Sequence, residues 1–281
     1  MKNIALGQYY PAKSVIHRMD PRIKVICAVA YIVASFLCKN FFSFMLLLVS
    51  AVVLVALSRI PMKVVLGSIK ALIFIMAFTA VINIFWVTDT TCEPLVSFWK
   101  IRIYAKGLYN ALFILIRIIA MIMGTSIFLT YTTSPIALTD AIERLLYPLS
   151  LLHVPVHTFA MMMTIALRFI PTIVDETDKI MNAQKARGAD FTTGSLMDRT
   201  RALVPVIVPL FASAFRRADE LATAMECRCY HGGEGRTRLR VLKLHLCDFV
   251  MLLLMIAFIA GIVLINIFGQ KYGWLYTMSV G

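Results

Sequence analysis

The sequence predicts an all-α integral membrane protein, with about five transmembrane helices and one long cytoplasmic insertion of three amphipathic helices. Three observations carry this. Hydrophobic residues make up 60% of the 281-residue chain, against about half in a soluble domain. The excess is gathered in long runs nearly free of charge, and no acidic residue occurs between Asp20 and Asp89; such runs mark membrane-spanning helices. No stretch shows a strand pattern of any strength.

The spans fall at about 23–38, 42–57, 66–87, 107–130 and 246–268. Lys39, Asn40 and Phe41 alone separate the first two, which read as a tight helical hairpin or as one long broken helix. Both are short, since a span needs about 20 residues and about 17 is near the lower limit.

Residues 131–245 differ in kind, with 14 Lys/Arg and 11 Asp/Glu. A first helix at about 135–150 has Ser134 as a fitting N-cap and Pro135 at its first helical position. A second, about 158–187, sets Thr164, Arg168, Thr172, Glu176 and Lys179 along one face, leaves Met161, Met162, Ile165, Phe169, Ile173 and Ile180 on the rest, and is expected to kink at Pro171. A third, about 196–225, carries Arg217 and Glu220 opposite an apolar side and is expected to be interrupted at Pro205 and Pro209. The chain therefore divides at 1–130, 131–245 and 246–281.

The net charge is +13. On a soluble protein it would point to nucleic acid. Here its distribution points to the membrane. The N-terminal segment, the 58–70 loop and the insertion together hold 22 of the 28 Lys and Arg, the opposite side holds five, and Arg117 lies within a span. The basic side is cytoplasmic. That places the N-terminus and the insertion inside and the C-terminus outside, without a nucleic-acid partner. No apolar stretch precedes Ile23, so no signal peptide is expected. Six cysteines are spaced unlike a disulfide scaffold.

Catalytic constellations are not found, and no G-x-x-x-x-G-K-[ST] run offers a phosphate cradle, so the chain is expected to hold no ATP and no cofactor of its own. Cys227, Cys229 and His231 supply three metal ligands without a clear fourth; they read as small interface residues, and no metal is expected. His153 and His157 are four apart but flank Pro155, and read as structural. Asp175, Glu176 and Asp178 form either a solvated face or one side of a pairing that holds crossing helices. Arg117, mid-span, is a candidate intramembrane functional residue, because charge is expensive there. The spans are read as holding no acid to pair with it, which leaves Asn83 as the nearest polar candidate, or snorkelling.

The sharpest local signal is a pair of arginines at the ends of the two long amphipathic helices. Arg187 sits between Ala186 and Gly188, and Arg228 between Cys227 and Cys229. An arginine there is satisfied as a C-terminal cation, and Gly188 fits the left-handed position that ends a helix. Small flanks also leave the guanidinium protruding, and two such tips suit a partner that is itself a pair.

Several stretches resemble the T component (EcfT, or CbiQ) of energy-coupling factor transporters, a branch of ABC importers. They are Gly7-Gln8-Tyr9-Tyr10-Pro11 with Ser14, His17-Arg18-Met19-Asp20-Pro21-Arg22-Ile23-Lys24, Leu167-Arg168-Phe169-Ile170-Pro171, Ala183-Gln184-Lys185-Ala186-Arg187-Gly188-Ala189, and Gly232-Gly233-Glu234-Gly235-Arg236-Thr237. The resemblance covers nearly the whole chain up to the last span. It implies a scaffold in a prokaryotic cell membrane that contacts two cytosolic ATPases (A and A′) through long coupling helices, while a separate S component binds the vitamin or micronutrient. It further implies that Arg187 and Arg228 sit in grooves of the two ATPases, which bind ATP and Mg. The cysteines beside Arg228 depart from the Ala-Arg-Gly form but are still small. A self-sufficient secondary transporter is the alternative; it would want intramembrane acids or broken helices at a central site.

Overall fold

A computed structural model describes residues 9–12, 14–86, 96–98, 101–152, 154–191, 195–232 and 244–271. The chain is an α-helical membrane protein. Its helices are α1 (Val15–Arg18), α2 (Pro21–Leu37), α3 (Phe41–Ser58), α4 (Met62–Trp86), α5 (Ala105–Thr125), α6 (Pro135–Leu145), α7 (Val156–Ala186), α8 (Leu196–Glu226) and α9 (Leu246–Lys271). A π-helix, Ser126–Tyr131, continues α5, and a 3-10 helix, Tyr147–Leu152, follows α6. A small antiparallel hairpin, β1 (Val96–Phe98) and β2 (Ile101–Ile103), pairs Ser97 with Arg102. It was not expected from the sequence pattern, because three-residue strands are too short to show a period.

The chain forms two compact units. One runs through Ile142–Val241; the other gathers Gly7–Ala141 with Leu242–Gly281.

In the second unit, α2 and α3 form the hairpin expected from sequence. Asp20 caps α2 by accepting from Arg22 N–H at 2.9 Å, with Pro21 at the first turn. The last carbonyls of α2 find donors from elsewhere. Leu37 O accepts from Asn266 Nδ2 at 2.7 Å, and Cys38 O from Arg117 Nη2 at 3.0 Å. Asn266 Oδ1 also accepts from Ser43 Oγ at 3.0 Å, so the foot of α9 is sewn to the hairpin turn. Midway, Tyr31 stacks on Phe258 of α9, with ring centroids 6.0 Å apart, and its hydroxyl donates to Leu47 O at 3.3 Å. The Tyr31 ring lies directly over Gly124 of α5, where a Cβ would come within 2.2 Å of it. Contacts at both ends and the middle thus run α2 and α9 parallel, around a buried core of Tyr31, Phe44, Leu47 and Phe128.

Among the described residues, four helical segments are long and apolar enough to cross a membrane: Phe41–Ser58, Gly107–Tyr131, Val156–Ala186 and Leu246–Phe268. α4 makes a fifth if its two halves, bent by 56°, are one span. This set differs from the sequence reading at two places. At 17 residues, α2 is about 26 Å long, just short of a hydrocarbon core of about 30 Å. And α7, expected in the insertion, is apolar around most of its girth, although it also carries Arg168, Asp175, Glu176, Asp178 and Lys179.

The interruption expected in the third insertion helix does not occur: α8 continues through Pro205 and Pro209, and α7 likewise runs unbroken across Pro171. The reason is visible at Pro205. Pro209 has no N–H to give the carbonyl four residues back, and that carbonyl, Pro205 O, accepts instead from Gln184 Nε2 of α7 at 3.3 Å. The proline opens a docking point for the neighbouring helix.

Candidate functional site

α7 and α8 are 31 residues each and cross in the first unit. Ser195 starts α8 with a reciprocal capping box to Asp198. At the crossing, Glu176 Oε2 accepts from Arg217 Nη2 at 2.7 Å, and Glu176 Oε1 from the Ser213 hydroxyl. Of the two readings of the acidic cluster, Glu176 therefore takes the pairing one. Beside it lies an apolar groove of Ile165, Phe169 and Ile173 against Ala214, Leu221 and Met225. The two polar contacts, Glu176 to Arg217 and Gln184 to Pro205, have antiparallel register. The helix ends are therefore held apart: Arg228 lies 23 residues beyond Pro205, about 35 Å along a helix.

Both ends are built alike. At the end of α7, Gly188 N–H donates to Lys185 O at 3.0 Å and Ala189 N–H to Gln184 O at 3.0 Å. At the end of α8, Cys229 N–H donates to Glu226 O at 2.9 Å and Tyr230 N–H to Met225 O at 3.1 Å. Each helix thus ends with the same pair of backbone bonds around a left-handed residue, Gly188 at φ 90° and Cys229 at φ 55°. In each, the residue before the left-handed one is an exposed arginine, Arg187 or Arg228, and its flanks Ala186, Gly188, Cys227 and Cys229 are exposed too. Cys229 occupies a conformation that costs a side-chain-bearing residue about 1–2 kcal/mol. Its carbonyl lies 2.9 Å from His231 Nδ1. Among the described residues no three His, Cys, Asp or Glu side chains converge on a common point.

Other sequence candidates have local partners. His157 Nδ1 lies 2.9 Å from Glu143 Oε1; His153 is outside the described residues. Arg117 does not reach Asn83, whose amide donates to Thr79 O of its own helix at 2.9 Å. Instead Arg117 holds Cys38 O and lies over the Phe44 ring at 5.1 Å, a cation placed at the negative end of α2 and against an aromatic face. Of the last motif, 232–237, only Gly232 is described, with φ 103°.

The sequence reading missed a buried polar cluster at the two ends of the insertion. Lys24 is 2% exposed and Asp248 1%. Lys24 Nζ donates to Thr132 O at 2.8 Å, immediately after the π-helix, and lies 3.4 Å from His17 O. Asp248 Oδ1 accepts from Asp20 N–H at 2.8 Å, and Asp248 Oδ2 from His245 N–H at 2.8 Å. One carboxylate thus faces the positive ends of both α2 and α9. The expectation that the spans hold no acid is corrected here: Asp248 is in the first turn of α9. Next to the cluster, Tyr10 N–H donates to Tyr131 O at 3.0 Å, and Tyr10 O faces His17 Nε2 at 2.9 Å. His17 Nδ1 lies 2.7 Å from Ser14 Oγ. Burial, reinforced by the Lys24 charge, holds the His17 pKa below its ordinary 6.5, against the opposing Tyr10 hydrogen bond. The neutral ring therefore carries its proton on Nε2, facing the Tyr10 carbonyl, and accepts at Nδ1 from Ser14.

The family profile described as cobalt transport protein, CbiQ, matches residues 12–239. The chain is 48% identical over 250 residues to the energy-coupling factor transporter transmembrane protein EcfT of Clostridium kluyveri, covering 89% of this chain and 92% of that one. It is 46% identical over 275 residues to the EcfT protein of Thermosediminibacter oceani, covering 98% and 100%. Against the EcfT protein of Bacillus subtilis it is 45% identical over 242 residues, covering 86% and 90%.

Proposed function

Because the chain belongs to the CbiQ/EcfT family of energy-coupling factor transporter transmembrane proteins, we propose that it is the non-catalytic scaffold that couples two cytosolic ABC ATPases to a separate S component. The ATPases bind and hydrolyse ATP with Mg. The S component selects a vitamin or micronutrient. The chain itself carries movement between them, with its N-terminus and insertion in the cytoplasm and its C-terminus outside.

The observation that supports this most is the identical construction of the two arginine tips. A capping arginine needs no particular backbone beyond the last turn, yet both helices end on the same bonds, with the same one-residue offset from arginine to left-handed residue. Arginine suits a grip that must hold through every phase of a cycle, because it stays charged and its planar fork can bind a carboxylate at two points. Antiparallel crossing keeps the tips apart, as two separate motors require. The secondary-transporter alternative draws no support from Asp248, the acid it would use: both its oxygens are taken by backbone N–H groups.

The test is copurification. Arg187→Ala and Arg228→Ala should each weaken recovery of the ATPases, since losing one partner of a buried interfacial charge pair costs about 2–5 kcal/mol. The double variant should recover none while still inserting in the membrane. Wild-type recovery with the double variant would show the tips to be ordinary helix ends.

A further inference from the structure

The insertion of residues 131–245 begins at the end of the π-helix and ends at the start of α9, so Thr132 and His245, both within the membrane unit, stand at its two ends. These two points are far apart in sequence, yet both are fastened to one short segment, the head of α2. Lys24 holds the Thr132 carbonyl, and Tyr10, through its own N–H, holds the carbonyl of Tyr131 beside it. Asp248 holds the Asp20 N–H while capping its own helix at His245. Lys24 is also within electrostatic range of both the Asp20 and Asp248 carboxylates. Buried charges of this kind are expensive, and replacing them with apolar residues is often neutral or stabilising.

The geometry points to Lys24 and Asp248 as positioning residues for coupling: a buried charge clamp that gathers both ends of the insertion onto the head of α2, so that force from the tips enters α2 directly. The backbone links alone would not do this. Residues between Thr132 and Pro135 form a bend outside regular structure, and a bend yields before it transmits. The clamp bypasses it by tying the carbonyl ahead of the bend to an ammonium rooted in α2. The π-helix contributes the right carbonyls. Its wide turn is fixed by Thr132 and Thr133 hydroxyls that both donate to Phe128 O, at 3.1 and 2.9 Å, and by Tyr131, whose hydroxyl reaches Val64 O at 3.1 Å on α4. Thr132 O is thus presented by a turn already braced against a second helix.

This inference rests on the coupling role proposed above, and its test separates the two. The complete complex is purified with Lys24→Met, Asp248→Asn or Lys24→Arg in the T chain. Amide hydrogen exchange is then followed by mass spectrometry, with and without ATP turnover, in peptides covering 17–24, 132–138 and 245–250. A clamp under force predicts that Lys24→Met and Asp248→Asn keep their ATPases and hydrolyse ATP within about twofold of wild type. Exchange in those peptides rises severalfold more during turnover than at rest, and Lys24→Arg restores the wild-type pattern. A purely structural cluster would give the same rise with and without ATP, and that outcome overturns the inference. So does wild-type protection throughout, or loss of insertion or assembly in both variants. Failure of the unmodified chain to bring down ATPases would instead overturn the coupling role itself.

Discussion

The backbone N–H of Asp20 donates to Asp248 Oδ1 at 2.8 Å, although 228 residues separate the two in sequence. The same carboxylate caps α9 at His245. Replacing Asp248 with Ala strands a buried N–H donor at Asp20 and a part-buried one at His245, and removes a counter-charge near Lys24. The expected cost is about 3 kcal/mol, read as a lowered thermal unfolding midpoint in detergent. An unchanged midpoint would mean that these donors find other acceptors.

Gly124 and Tyr31 are predicted to be coupled. A Cβ at Gly124 would lie 2.2 Å from Tyr31 Cε1, inside any tolerable contact, and the ring is pinned between Phe258 and Leu47 O. Gly124→Ala should destabilise by about 1–3 kcal/mol, as overpacking does. In the Tyr31→Leu background the same change should cost clearly less, a non-additivity that contacting residues show. Equal costs in both backgrounds would place the strain elsewhere.

His17 makes a pH prediction. Its folded pKa lies below the ordinary 6.5, so the native state favours the neutral ring. The unfolded chain then takes up its proton first as pH falls. The stability His17 contributes is complete above about pH 6.5 and is lost as pH drops through the lower folded value. His17→Gln should flatten the decline of the unfolding midpoint in that window. A slope identical to wild type would assign the decline to other groups.

Cys229 sits at φ 55° where Gly188 sits at φ 90° in the matching tip. Cys229→Gly should therefore relieve about 1 kcal/mol at the end of α8, visible as slower amide exchange in its last turn, while Gly188→Ala should do the reverse at the end of α7. If Cys229→Gly speeds exchange there, the thiol makes a stabilising contact that the backbone cost does not reveal.

Much of this fold was legible. Long charge-free runs located α2, α3, α4, α9 and the α5–π-helix segment to within a few residues, although α2 falls short of a span and α7 is apolar enough to be one; the Ser134-Pro135 start of α6 is where it was expected, with Ala137 N–H donating to Ser134 Oγ at 3.3 Å. The arginine tips were legible because a glycine or small residue after a helical pattern marks its end. What escaped depends on partners distant in sequence. Arg117 was seen to need something, but Cys38 O is a backbone atom, and backbone acceptors leave no trace in composition. Asp248 was passed over because one acid beside a long apolar run reads as its edge. Pro205 and Pro209 were read as breaks because proline's missing bond is visible in sequence, while Gln184, which takes up the freed carbonyl, lies 21 residues away. The π-helix has no sequence signature at all; it follows from what Tyr131 and the two threonines reach.

The matched ends of α7 and α8 bear on the handedness of assembly. If the coupling role proposed above holds, two tips with the same backbone shape and the same central charge do not by that likeness tell one ATPase from another. Under that role, a preference has to come from what surrounds the arginines: Lys185, Ala186, Gly188 and Ala189 at one tip, and Glu226, Cys227, Cys229 and Tyr230 at the other. The opposite charges of Lys185 and Glu226 would then distinguish left from right.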